Sequence, residues 1–442
     1  MPPEGLPSGS LPPAGLPPVK PPSGKFIAQL FLVPMLIVLG IVALFFTMRG
    51  LFGIGSPRSA QEFLHSVDQT NREVRWRAAQ ELAQYLPRDD KLASDPRFAL
   101  DLADRLYRTL KEIEEAEKKV AQLSAVAATG NTSEDLEALA KAKQELIASR
   151  AYAIYLGASL GGFAVPVGVP LLKQLALQQT GPDPKALALR RRQAVLALAN
   201  LGKNVERFDT LTTEEQELAL DTLREEATGA GERGKWAGEA FERTTGRLAG
   251  KPRGLGSDYL GLVDAEDPFL RELFAVSLNF WSGDAAENQQ TDETLARLSR
   301  DTGKGEELLA ELAEEPDEEN AAKLSSSLSF TKYPGLRVRY NATTALARRG
   351  SKRVNSAILE EMLDEATQKD YCRRRLPDGT EVSDEATALQ TVLETLKTVA
   401  ELHRIRPDFD LSNLRPLVDR LADSPNVALR TEAKNTQIVL DR

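Results

Sequence analysis

The chain has 442 residues, with 56 Lys and Arg against 65 Asp and Glu, for a net charge of −9 at neutral pH. A hydrophobic share of 42% is enough to build a core, and an aromatic share of 6% beside recurrent Ala, Leu, Glu and Arg favours helices over a β-sandwich. One cysteine, Cys372, and two histidines, His65 and His403, exclude an intrachain disulfide, a cysteine zinc site and most histidine-based metal or triad chemistry.

Residues 1–25 are rich in Pro, Gly and Ser and carry a net charge of +1, from Lys20 and Lys25 against Glu4. Little apolar material is available to bury, so a disordered tail is predicted. Residues 26–48 then run 23 positions without a charge, dominated by Phe, Leu, Ile and Val. As a helix this stretch reaches roughly 34 Å, enough for the hydrocarbon core of a bilayer. A cleaved signal peptide would show a shorter apolar stretch and small residues at its cleavage site, which Phe45-Phe46-Thr47-Met48-Arg49 does not provide. The prediction is an uncleaved, single-pass membrane anchor in contact with lipid, followed by a linker at 49–59. Lys20 and Lys25 on one side balance Arg49 and Arg58 on the other, so the positive-inside rule leaves the side of the body undetermined.

The rest of the chain, 60–442, carries the acidic charge, which argues against a general nucleic-acid binder. A long helix is predicted from Phe98 to Ala127, broken at Gly130-Asn131-Thr132-Ser133, with a return helix to Tyr155. Together they make a helical hairpin over 98–155. The uncharged run Ala151–Leu172 is interrupted by Gly157, Gly161, Gly162, Pro166, Gly168 and Pro170, and reads as two short helices of a degenerate hairpin, not as a second membrane span.

Residues 229–257 read as an exposed Gly/Arg-rich loop. Gly229 to Lys235 meets the spacing of a phosphate-binding loop, but Trp236 stands where Ser or Thr must hold magnesium, and no strand precedes the glycines. An acidic segment covers 301–323, with eight acids and no base between Glu306 and Glu319. It lacks the spacing of a calcium loop and reads as a solvated helix or linker. Arg373-Arg374-Arg375 after Cys372 could lower the thiol pKa. The basic clusters at 190–192, 348–353 and 373–375 could line one surface, although scattered solvated faces are the ordinary reading.

One frame recurs along this body. Asp68, Asp183, Asp264 and Asp423 each lie seven residues before an arginine that follows Val or Leu, namely Arg75, Arg190, Arg271 and Arg430. Val338-Arg339 keeps the second half of the frame. Ala78 and Leu82, Ala194 and Leu198, Phe274 and Leu278, and Ala342 and Leu346 follow four and eight residues after the apolar position, which is one face of a helix. Such a helix must be covered by a neighbour, and stacking repeats supplies one.

These segments resemble the HEAT family of helical-hairpin repeats, in an all-α, armadillo-like α-solenoid spanning about 60–442. The resemblance implies a ladder between neighbouring repeats in which Asp68, Asp183, Asp264 and Asp423 are the acids and Arg75, Arg190, Arg271, Arg339 and Arg430 the bases. The matched arginines lie 115, 81, 68 and 91 residues apart, so repeats between them must be degenerate or interrupted. The role implied is a membrane-anchored protein–protein interaction scaffold, with no catalytic, cofactor-binding or metal-binding residues assigned and the partner unread. The alternative the resemblance leaves open is an enzyme or enzyme subunit of lyase or hydroxylase type with a site between repeats.

Overall fold

The computed structural model describes residues 59–130, 132–300, 334–375 and 381–442. The predicted tail at 1–25, the apolar span at 26–48, the linker to residue 58 and the acidic segment 301–323 lie outside the described residues. The chain divides into two units after Ser59, and every described helix belongs to the second, the compact unit Ala60–Arg442.

The second unit opens with α1 (Ala60–Val67), α2 (Arg72–Tyr85) and the short α3 (Asp90–Ala93). Then come α4 (Pro96–Gly130), α5 (Ser133–Leu160), α6 (Val169–Leu177) and α7 (Pro184–Asn204). The middle holds α8 (Thr213–Ala227), α9 (Gly231–Leu248), α10 (Ser257–Leu260), α11 (Pro268–Leu278) and α12 (Ala285–Leu298). The last part holds α13 (Pro334–Arg348), α14 (Ser356–Leu363), α15 (Glu365–Tyr371), α16 (Glu385–Ile405), α17 (Arg415–Ala422) and α18 (Val427–Leu440). A two-stranded antiparallel ribbon, β1 (Arg373–Arg375) and β2 (Glu381–Ser383), is a small departure from an all-helical chain.

Among the described residues seven helical hairpins stack in a row, with α8 and α9 forming one more beside it. α1 packs on α2, α4 on α5, α6 on α7, the leg Gly261–Asp264 after α10 on α11, α12 on α13, α14 and α15 on α16, and α17 on α18. The second helices of these hairpins also touch in order, α2 to α5, α7, α11, α13, α16 and α18.

Side-chain contacts fix their relative direction. From α2 to α5, Arg72 meets Glu145, Trp76 meets Tyr155, and Ser159 bonds the Ala79 carbonyl, so the partners advance together. From α7 to α11, Arg192 meets Asp267, and the Trp281 indole beyond α11 bonds the Leu198 carbonyl. From α11 to α13, Glu272 meets Arg337 and the Trp281 carbonyl meets Arg349. The second helices therefore lie parallel and side by side, each covering its neighbour's apolar stripe, which is the defining relation of an α-solenoid.

Sequence explains where these helices begin. Six of the seven second helices start behind a side-chain cap: Asn71, Thr132, Asp183, Asp267, Asp384 and Asn426 each accept a hydrogen bond from the first turn. Pro184 and Pro268 fill first-turn positions, where a missing N–H costs nothing. The predicted core face is buried throughout, with Ala78, Leu82, Ala194, Leu198, Phe274, Leu278, Ala342 and Leu346 all in the core.

Two expectations change. The stretch 229–257 is not a loop: α9 occupies Gly231–Leu248 and packs with α8 against α4 as an additional hairpin, burying Trp236. Gly231 takes a φ of 87° at its start, and Lys235, the would-be phosphate lysine, pairs with Glu232 on the helix surface. The run 151–172 is not one hairpin. Its first half ends α5, which pairs with α4, and its second half opens α6, which pairs with α7. No helix among the described residues is long and apolar enough to cross a membrane.

Candidate functional site

The nine expected ladder residues do not pair with one another. Asp68 forms an ion pair with Arg105 of α4, and the Arg75 guanidinium lies 4.3 Å from the centre of the Tyr152 ring. Asp183 caps α7 and accepts from Arg150 of α5 at 2.7 Å, while Arg190 reaches Glu117 of α4 at 3.2 Å. Asp264 pairs with Arg297 of α12, and Asp267, three residues later, is the cap of α11. Arg271 and Arg430 make the same local contact, each donating to a backbone carbonyl six residues earlier, Ala265 at 2.7 Å and Ser424 at 2.8 Å. Arg339 reaches Glu361 at 3.4 Å. Asp423 is exposed just past α17 and meets no base among the described residues.

The side chains that do bridge hairpins are mostly ones the frame omitted. Arg150 ties Glu117, at 2.8 Å, to Asp183, so the long α4–α5 hairpin is bolted to the start of α7. Glu117 is only 9% exposed and needs that compensation. Burial draws the Asp183 carboxyl upward, but the Ala186 N–H and Arg150 outweigh it and hold the group below its ordinary range. Arg192 grips Asp267 with two nitrogens at 2.5 and 2.9 Å and stacks on the Phe269 ring. Arg337 meets the buried Glu272 at 2.7 Å. Asp267 had a signal in the sequence, an acid immediately before a helix-opening proline. The others depend on which helices become neighbours.

The same packing leaves one face of α5 and α7 open to solvent and the matching face of α11 half covered. On α5 this face carries Ile147, Ala151 and Ile154, with Ile147 64% exposed. On α7 it carries Leu189, Gln193, Leu196 and Asn200, with Leu189 45% and Leu196 36% exposed. Half-buried Phe269, Leu273 and Val276 continue it on α11. All three sets follow the four-then-three spacing of a single helix face. On α13 the equivalent positions turn polar, with Arg337, Asn341, Thr344 and Arg348, and Arg348 reaches Glu394 and Glu401 of α16. The row of helices thus offers an apolar stretch and then a charged one.

The cysteine and the two histidines are not among these bridging side chains. Burial pushes the Cys372 thiol up, with Asp384 adding to it, and this outweighs the nearby Arg337, contrary to the lowered pKa expected from the adjacent arginines. His65 bonds Gln69 on α1 and its extension, and His403 lies on α16. Among the described residues no group of three His, Cys, Asp or Glu side chains is placed to hold a metal ion.

No family model and no curated protein matches the chain. Two solved structures are similar over most of its length. One is a designed armadillo repeat protein, at 12% identity over 86% of this chain and 100% of that one, with a TM-score of 0.28. The other is an engineered protein, at 16% identity over 87% of this chain and 100% of that one, with a TM-score of 0.23. At such scores the likeness carries no weight, and the solenoid assignment rests on the helix contacts themselves.

Proposed function

We propose that this chain is a non-catalytic scaffold, tethered to a bilayer through 26–48, that docks partner proteins along the outer faces of its stacked helices. The observation that carries the docking part is the row on α5, α7 and α11, where large apolar side chains stand in solvent on α5 and α7 and half-buried ones continue the row on α11. The membrane part is supported by the charge-free length of 26–48. An acidic body makes proteins better partners than nucleic acids.

Two measurements separate the parts. After alkaline washing, the full chain should remain in the membrane pellet and a chain lacking 26–48 should leave it; release of the full chain ends the anchor reading. Crosslinking of the full chain in membranes should then trap proteins at positions 147, 189 and 196 but not on the α8 surface. Equal trapping at both surfaces rejects the docking face.

A further inference from the structure

The three helix segments that carry the uncovered face are basic within an acidic chain. Across 146–160, 184–204 and 268–278 there are seven bases and one acid, in a protein where acids outnumber bases 65 to 56. That one acid, Glu272, is 5% exposed and turned onto Arg337. No exposed carboxylate therefore lies on these three helix segments. α7 alone carries Lys185, Arg190, Arg191, Arg192 and Lys203 without a single acid of its own. Arg190 and Arg192 draw on carboxylates from α4 and from the start of α11, while Arg191 donates to the carbonyl of Ala176 and Lys203 stands exposed.

Resting on the scaffold reading, we infer that the α5–α7–α11 face takes an acidic segment of a partner protein, one that carries large apolar side chains among its carboxylates. Leu189 and Leu196 lie seven residues apart on α7, about two helical turns and roughly 10 Å, so they accept two apolar anchors of one segment. Lys185, four residues before Leu189, and Lys203, seven after Leu196, flank them on the same helix face with positive charge. Apolar contact supplies affinity, and the excess of cations selects against basic and neutral segments. An anionic lipid surface fits less well, because Arg190 and Arg192 are mostly buried in their ion pairs and do not project as a lipid-binding patch would.

The test uses the full chain in detergent, panned against a phage-displayed library of random 16-residue peptides. The expected survivors are net negative with at least two large apolar residues. A synthetic copy of the best one, read by fluorescence anisotropy, should weaken tenfold or more on Leu189→Glu/Leu196→Glu and several-fold on Lys203→Glu, and should weaken further with added salt. Leu189 and Leu196 are 45% and 36% exposed, so helical content should be kept, and weaker binding by the exposed Lys203→Glu variant at an unchanged melting temperature separates lost binding from lost folding. Basic or neutral survivors, no survivors, or an acidic peptide indifferent to these substitutions would each overturn the assignment. Binding of phosphatidylserine vesicles that is lost in the same variants, with no acidic peptide selected, would assign the face to lipid instead. None of these results bears on membrane retention or crosslinked partners, so the scaffold reading stands or falls separately.

Discussion

The Trp281 indole N–H donates to the Leu198 carbonyl at 2.9 Å, which pins the ring against α7 where that helix carries Gly202. A methyl group at Gly202 would lie 2.7 Å from the indole nitrogen and 2.8 Å from the Phe280 Cβ. The ring cannot swing away without giving up its hydrogen bond. Gly202→Ala should therefore force α7 and α11 apart and cost about 1–3 kcal/mol, the usual range for overpacking. A lower melting temperature with unchanged helical content checks it; an unchanged melting temperature would mean that the two helices are free to adjust.

A second prediction concerns acid. The folded-state pKa of Asp183 lies below its ordinary value, so its contribution is present above the unfolded carboxyl pKa near 4 and is lost as pH falls through the folded value. Asn caps helices about as well as Asp, so Asp183→Asn removes the charge pair with Arg150 and little else. The carboxylate is partly exposed, which limits the loss to about 1 kcal/mol or less at pH 7. The gap in melting temperature between variant and parent should narrow as pH falls below the ordinary carboxyl range, through the lowered folded pKa. Asp183→Ala gives up the cap as well and should cost about 1 kcal/mol more at every pH.

The register of this solenoid is legible in its apolar positions and obscured in its polar ones. Four-residue spacing of buried side chains survives any neighbour, so Ala78, Leu82, Phe274 and Leu278 can be assigned from the chain alone. The caps reveal a tighter frame than the seven-residue Asp–Arg spacing. Arg75, Arg271 and Arg430 each lie four residues after the caps Asn71, Asp267 and Asn426, whereas Asp68, Asp264 and Asp423 fall three residues before those caps. By that frame Arg337, three residues into α13, takes the place given to Arg339. Partners are not readable at all, because Arg150 and Asp183 are 33 residues apart and Arg192 and Asp267 are 75 apart. Nothing local says which hairpins will be adjacent. Leu189 has the spacing of one more apolar frame position, and only packing shows that it faces solvent.

Arg150 should be the least replaceable of the bridging arginines. Without it, Arg190 at 3.2 Å is the one cation that Glu117 keeps among the described residues, and the carboxylate remains nearly buried. Leaving a buried carboxylate half compensated costs about 1–3 kcal/mol. Arg150→Met should lower the melting temperature and raise amide exchange along 111–150, where the long hairpin meets α7. Adding Glu117→Gln removes the stranded charge and should recover much of the loss. If the double variant is no better than the single one, the arginine acts through packing and not through its charge.

Glu272 should behave in the opposite sense to Asp183. Burial lifts its carboxyl above the ordinary range, and the attraction of Arg337 at 2.7 Å opposes this without cancelling it. An acid whose folded pKa is raised is penalised in its charged form, so it subtracts stability above the folded pKa. That penalty is relieved as pH falls through the folded pKa towards the unfolded one. Glu272→Gln keeps the shape and removes the buried charge, leaving Arg337 with about a third of its side chain in water. The variant should therefore melt at the same temperature as the parent or higher at pH 7, and the difference should narrow as pH is lowered towards 4. Comparing the two proteins at each pH cancels the other carboxylates, Asp183 among them. A drop of several degrees at pH 7 would show that the ion pair between α11 and α13 outweighs the cost of burying it.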